Sequence, residues 1–466
     1  MQSRIDTTNT NFAGVVSAHL RSARLSDMPQ SVIDRAKERL LDSVGNILAG
    51  VDATGNAAAR SVFLKTGDTP EATVCGVQGR TSAPHAALLN SLAMRSYDFE
   101  AVGAESADAS MIAAHISGTT VPVALATGER AAASGAQVLE ALILGDDLAS
   151  RLAVASGFHT ASGGDNTGTV NVMGGAAIAG KIAGFSEVQY RWALGHALNQ
   201  MAGTVQSLFD KADSFKLPQA LGARNAVVAA DLAQAGFTGL KDAIHAPFGF
   251  FKMFSPNPAP EKLLEALGET FYGDMIIKPW SSCRAAHPAL DAVLRVREAN
   301  HLTAGEIESI EVHVTPTTKR GFTAQDFSQT PASETDGIFS IPFNVAVGMI
   351  EGTVRPEHLS VDYMRSDAVR AMLNRVSIVD TLPAGEYQTA EVIVTTKSGD
   401  RLHQRVDNIL GDIYRNRLSA DALLEKYYMN IEFGGQKSRE QAEEIRDVIG
   451  RIDELDSISD LTRLLA

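Results

Sequence analysis

Residues 95–130 read RSYDFEAVGAESADASMIAAHISGTTVPVALATGER, and the rest of the chain can be placed around them. The segment opens where an apolar helical run over residues 82–94 ends, at Tyr97, Asp98 and Glu100. Residues 101–109 are Gly-, Ala-, Ser- and acid-rich and lose periodicity, which reads as a loop. His115-Ile116-Ser117-Gly118 closes it, and a helix resumes with residues 121–126. Two carboxylates and a histidine therefore stand at the two rims of one loop, each carried by a buried helix. Polar chemistry is often placed on loops held by rigid elements. On this stretch alone a packing role stays open, with Asp98 a turn residue and His115 a hydrogen-bonded core residue.

Outward from this stretch the pattern is helical. Residues 29–49 carry Val32, Ile33, Ala36, Leu40, Leu41, Val44, Ile47 and Leu48 at i, i+3 and i+4, which makes one apolar face. Helical patterns also cover residues 12–23, 57–66, 121–133, 134–152, 172–183, 186–204 and 221–234, with 72–77 a short extended piece. The pattern changes near Pro256–Pro260. Residues 307–315, 377–380 and 388–396 alternate with period two, as strands do, with helices at 290–299 and 345–352 among them. Amphipathic helices return at 421–428 and 438–466. The expected architecture is mainly α: an all-helical domain from residues 1–269 plus 406–466, with a smaller α+β domain, residues 270–405, inserted in it.

A chain of 466 residues is too long for one ordinary core. Its 45% hydrophobic and 21% charged residues describe a folded protein. The net charge of −14 argues against nucleic acid, whose phosphates need a basic surface. An anionic substrate would need a locally cationic pocket. Two distant cysteines, Cys75 and Cys283, make no disulfide framework. No signal-peptide core and no apolar run of about 18 residues is present, so the expectation is a cytoplasmic protein with no membrane partner. Phosphate-cradling GxxxxGK[ST], strand-anchored GxGxxG, HExxH, CxxC and an elbow GxSxG are all absent. The expected site uses no metal and no cofactor, only ordinary side chains.

Three further clusters carry chemistry. Lys211-Ala212-Asp213-Ser214-Phe215-Lys216 lies between two apolar helices and offers two cations. Lys278-Pro279-Trp280-Ser281-Ser282-Cys283-Arg284-Ala285-Ala286-His287 places two cations and a titratable ring before a helix, an anion-binding pattern by charge and helix dipole. Gly337–Phe343, GIFSIPF, is apolar enough to wall a pocket. For each, core packing or a solvated surface is the competing reading.

Taken in order, VIDRAKERLLDSVGNILAG, YDFE…AHISG, GGAAIAGKIAGF, FKLPQALGARNAVVAADLAQAGFTG, IKPWSSCRAAHPALDA and FSIPFNVAVGMIEGTV resemble the MmgE/PrpD family over almost the whole chain. The resemblance implies a large helical domain with a smaller α+β domain, a homodimer, and a polycarboxylate site between the domains. It matches Asp98, His115, Lys216 and Lys278 to functional positions of the family, and His159 to a further pocket histidine. His115 and Lys216 are then the expected acid–base pair, with Asp98 orienting His115. Lys278, Arg284, His287, Lys211, His159 and Tyr97 are the expected substrate-binding residues. Three departures stand out, the first being that the family's acid-rich DFDD-like segment reads Asp98-Phe99-Glu100-Ala101 here. Phe343 replaces a tyrosine, and Gln219 replaces a histidine three residues after the lysine. A phenylalanine cannot donate a proton to a leaving group. Among family activities the departures disfavour dehydration of 2-methylcitrate and decarboxylation of cis-aconitate. They leave epimerisation of iminodisuccinate, which needs only proton removal and return. A carboxylate-binding protein without turnover is the non-enzymatic alternative.

Overall fold

The computed structural model describes residues 10–64, 68–109, 112–158, 163–386 and 388–466. The chain is mainly helical. Its first helices are α1 (Phe12–Ser22), α2 (Gln30–Ala49), α3 (Asn56–Phe63), α4 (Ala83–Arg95), α5 (Ser117–Arg130), α6 (Gly135–Ser156), α7 (Val170–Ile182), α8 (Glu187–Leu198) and α9 (Leu217–Gln234). Later come α10 (His287–Ala299), α11 (Ile341–Glu351), α12 (Ala420–Gly434) and α13 (Arg439–Gly450). Two apolar clusters organise the packing. The first is built from α1 to α9 together with the C-terminal helices. The second is built from residues 275–409 and takes in Tyr97, Phe99, Val102 and Phe215. The stretch after α4 thus lies where the clusters meet: Phe99 belongs to the second, Ala114 and Ile116 to the first.

Small residues let the helices approach. A Cβ on Gly145 of α6 would lie 2.7 Å from the Gly174 carbonyl of α7, and one on Gly174 would lie 2.6 Å from the Gly145 carbonyl. The helices cross at this pair, and no other residue fits there. In α5, Pro122 has no N–H for the Gly118 carbonyl. That carbonyl instead accepts the Ser91 hydroxyl of α4 at 2.7 Å, so the defect becomes a cross-helix bond.

The strands differ from expectation in two places. The N-terminal part is not all-helical. The extended piece expected at 72–77 supplies β1 (Ala72–Thr73), which forms a small hairpin with the unforeseen β2 (Arg80–Thr81), and a strand β3 (Val102–Ala104) lies inside the segment read as a loop. β3 pairs antiparallel with β4 (Asp274–Ile276), and Gly103 N–H also bonds the Ala114 carbonyl at 2.7 Å. Three residues are too few to show alternation, and their partner lies some 170 positions on, outside any local pattern. The larger sheet has the order β6–β5–β7–β8, from β5 (Ile307–His313), β6 (Val376–Val379), β7 (Ala390–Thr396) and β8 (Arg401–Val406). β8 was not legible because its RLHQRV sequence is polar along an edge. The helical pattern at 186–204 stops at Leu198, and that at 438–466 breaks into α13, a short turn and Ser459–Leu465.

Gly118 is the second residue of α5, and a Cβ there would lie 2.4 Å from the Gln219 carboxamide. Gly118→Ala is expected to destabilise the protein by about 1–3 kcal/mol through overpacking. Urea denaturation should show the loss relieved when Gln219→Ala is added, and an undiminished loss in the double variant would count against the contact.

Candidate active site

Arg95 is the last residue of α4, and the chain reverses at Asp98, a non-glycine residue with φ of 45°. Such a backbone is strained and persists only when its surroundings enforce it. Here the neighbouring carbonyls are held by two ammonium groups. Lys278 Nζ donates to the Asp98 carbonyl, and Lys426 Nζ of α12 donates to the Phe99 carbonyl at 2.7 Å. The reversal turns Asp98 and Glu100 onto one guanidinium. Arg95 Nη1 donates to Asp98 Oδ1 and, at 2.9 Å, to Glu100 Oε1. Lys278 Nζ also lies 2.8 Å from Asp98 Oδ1. All four charged side chains are buried.

His115 meets this cluster from the far rim. Its Nδ1 lies 2.9 Å from Glu100 Oε1, and its Nε2 lies 3.7 Å from Asp98 Oδ1. The backbone under the ring is fixed on both sides. Asn171 of α7 donates to the His115 carbonyl at 2.7 Å. Asp274 of β4 accepts the Ile116 and Ser117 N–H groups at 3.0 and 2.7 Å and the Ser117 hydroxyl at 2.6 Å. Asp274 thereby caps α5 from another part of the chain, where an N-cap side chain would otherwise stand. The β3–β4 pairing is what brings Asp274 there.

Burial alone would raise the Glu100 carboxyl, but Arg95, His115 and Lys278 hold it well below the usual carboxylate range. Burial lowers the His115 imidazole, Arg95 and Lys278 lower it further, and Glu100 partly opposes them. The ring is therefore neutral at neutral pH. Two cations, two carboxylates and one neutral imidazole leave the cluster close to charge-balanced. Asp98, Glu100 and His115 could also hold a metal ion, since their ligand atoms lie within 4.8 Å of one another. Yet Arg95 touches both carboxylates and Lys278 touches one of them. A divalent ion would have to displace or face both resident cations, so the donor set suits proton chemistry better.

Two family models match this chain. The MmgE/PrpD N-terminal domain covers residues 16–263, and the MmgE/PrpD C-terminal domain covers residues 280–450. The chain belongs to the MmgE/PrpD family. It is also 23% identical, over 428 residues, to the cis-aconitate decarboxylase-like protein oryM of Aspergillus oryzae; the match spans 86% of this chain and 87% of that one.

Of the residues singled out from the MmgE/PrpD resemblance, the structure brings Asp98, His115 and Lys278 together. Asp98 does not orient His115 through Nδ1; Glu100 occupies that position, because the reversal at Asp98 points its carboxylate to Lys278 and Arg95. The other cations have partners of their own. Lys216 Nζ donates to the Thr54 carbonyl at 2.7 Å and to Asn56 Oδ1 at 3.3 Å. Lys211 Nζ donates to the Phe322 and Phe339 carbonyls at 2.8 and 2.7 Å, and burial lowers it to about 8. Arg284 makes no salt bridge among the described residues, and its Nη1 is buried without a partner. His287 is fully buried with its ring against Trp280, and Tyr97 packs edge-on to Phe433. His159 lies outside the described residues.

The departures from the family pattern at Gln219 and Phe343 are both buried. Gln219 fills the space over Gly118 and donates to the Ser91 carbonyl at 3.3 Å. Phe343 stacks on Phe327 in the second apolar cluster. Surface cavities of about 340, 550 and 360 Å³ are lined by other residues, among them Arg151 and Tyr272, Arg130 and Asp231, and Phe327 and Pro342. Within the cluster, the His115 side chain keeps 14% exposure while Asp98 and Glu100 keep 1% and 0%, so His115 is the member that can meet a substrate.

Reading the sequence missed Arg95 and gave Glu100 no role. The Arg-x-x-Asp-x-Glu spacing was visible, but the left-handed turn that folds both acids onto the arginine was not. Lys278→Met should leave Asp98 buried beside too little positive charge, at a cost of about 3–5 kcal/mol. Adding Asp98→Asn should recover part of that loss in urea denaturation; no recovery would mean the lysine acts elsewhere.

Proposed function

We propose that this protein is an epimerase acting on iminodisuccinate without a cofactor, by removing and returning a proton alpha to a carboxylate. The observation that supports it is the neutral His115 imidazole, set on a buried carboxylate and partly exposed. Membership of the MmgE/PrpD family supports an enzyme related to its dehydratases and decarboxylases. The burial of Phe343 and Gln219, where the family resemblance implies a tyrosine and a histidine, favours proton exchange over departure of a leaving group.

In this reading His115 takes the α-hydrogen from one face of the substrate carbon. The electron pair flows into the adjoining carboxylate, where cations aimed in advance stabilise the developing charge. Arg284, lacking a carboxylate partner, and Lys211 are the candidates for that role. Lys216 is the candidate for returning a proton on the opposite face, which requires it to leave Thr54 and Asn56. This reading keeps the division expected from the hydrophobic pattern, residues 1–269 plus 406–466 and residues 270–405, and the homodimer that the family resemblance implies. The relative from Aspergillus oryzae supports a lyase as the second reading, with loss of water or carbon dioxide from a tricarboxylate.

Incubating the enzyme with iminodisuccinate in deuterium oxide tests the choice. Deuterium should enter the α-position, with inversion; in a parallel incubation, formation of an alkene from 2-methylcitrate or of carbon dioxide from cis-aconitate would establish the lyase. His115→Ala should lower the exchange rate at least about a hundredfold, and a wild-type rate in that variant would remove His115 from the chemistry.

The pH dependence has a definite sign. The His115 pKa is lowered from its ordinary 6.5, so the base form persists below that pH and is lost only in more acidic solution. kcat/KM for exchange should stay level from pH 8 through 6.5 and fall only in more acidic solution. A midpoint above 6.5 would contradict the assignment.

A further inference from the structure

We propose that Glu100 is a positioning residue that keeps the neutral His115 proton on Nδ1, leaving Nε2 as the atom that receives the substrate's α-proton. This rests on the proton-exchange reading above and assigns its atoms. The two ring nitrogens have different surroundings. Glu100 Oε1 lies 2.9 Å from Nδ1, within hydrogen-bonding distance. Asp98 Oδ1 lies 3.7 Å from Nε2, too far for one.

Arg95 Nη1 also approaches Nδ1, at 3.4 Å, and would favour a lone pair there. The nearer group decides. A lone pair on Nδ1 would face the Glu100 carboxylate at 2.9 Å, two acceptors without a proton between them. The two N–H groups of Arg95 Nη1 have nearer and charged acceptors in Asp98 and Glu100, so the bond to the ring at 3.4 Å is the weakest of the three. A proton on Nδ1 instead faces the Glu100 carboxylate at 2.9 Å, an attractive charge–dipole contact. The tautomer of a working histidine is commonly fixed in this way by the group on its other nitrogen.

The step balances. The substrate C–H bond breaks, its electron pair enters the carboxylate as an enediolate, and the proton goes to Nε2. His115 becomes an imidazolium carrying both N–H groups, Nδ1–H on Glu100 and Nε2–H towards Asp98. Both neighbours are carboxylates, so the charge that forms on the ring forms between two anions. Return of a proton to carbon from the opposite face, by a second group, completes inversion; His115 then loses its extra proton to solvent and the second group regains one from it.

The test uses the whole chain with ¹⁵N-labelled histidine. The His115 signals are found by difference from His115→Gln. At neutral pH the free protein should show Nδ1 protonated and Nε2 unprotonated; the reverse overturns the proposal. Glu100→Gln keeps an acceptor at Nδ1 without the charge. It should lower kcat about ten- to a hundredfold, change KM less than threefold, and move the acidic limb of the rate profile to lower pH. Glu100→Ala should lose more and show mixed tautomers, with Glu100→Asp partly restoring both. Loss of activity in these variants with tautomer and acidic limb unmoved would show a merely structural glutamate and overturn the proposal. If wild-type protein shows the expected tautomer but no deuterium enters iminodisuccinate, the epimerase reading fails while the NMR result still upholds the Glu100 assignment.

Discussion

Burying charge is costly unless it is balanced, and this requirement governs the centre of the molecule. Asp42, Asp98 and Glu100 are taken out of water together with Arg95, Lys278 and Lys426. Each acid has a cation in contact: Asp42 with Lys426, Asp98 with Lys278 and Arg95, Glu100 with Arg95. The pairs are linked through the backbone, because Lys278 and Lys426 also donate to the carbonyls of Asp98 and Phe99. Electrostatics and chain geometry therefore enforce each other. The left-handed turn at Asp98 is paid for by the ammonium groups, and the ammonium groups are placed by the turn.

Around that centre the helices supply rigidity. Glycine at the α6–α7 crossing brings α7 close to α6, and α7 carries the Asn171 that holds the His115 carbonyl. The short β3–β4 pairing has the same purpose from the other side, since it delivers Asp274 to the start of α5. The histidine ring is fixed by elements from three separated parts of the sequence. A side chain held in this way need not reorganise to make its contacts.

How much of this could be read in the sequence depends on its range. The long amphipathic helices were legible because their periodicity is local, as in α2, with its buried face at Val32, Ala36, Leu40 and Val44. So were Asp98, His115 and Lys278, through the family resemblance of their blocks. Contacts set by folding were not. Nothing near Glu100 shows that it, and not Asp98, faces the imidazole, because the backbone sign at Asp98 decides that. Nothing near Lys278 shows that its amine meets Asp98. Lys211 and Lys216 looked free in the sequence, yet both donate to carbonyls, since a buried ammonium takes whatever acceptors it is offered.

The contact between Lys426 and the Phe99 carbonyl has a consequence for biosynthesis. The acids at 42, 98 and 100 emerge from the ribosome early, while the lysines at 278 and 426 follow much later. During translation the N-terminal helices can collapse, and Arg95 emerges with Asp98 and Glu100, but Asp42 has no cation in contact until Lys426 arrives and must keep access to water. Closure of the buried charge cluster around the turn at Asp98 is therefore postponed until nearly the whole polypeptide has been made, and a nascent chain stalled before α12 leaves that cluster open.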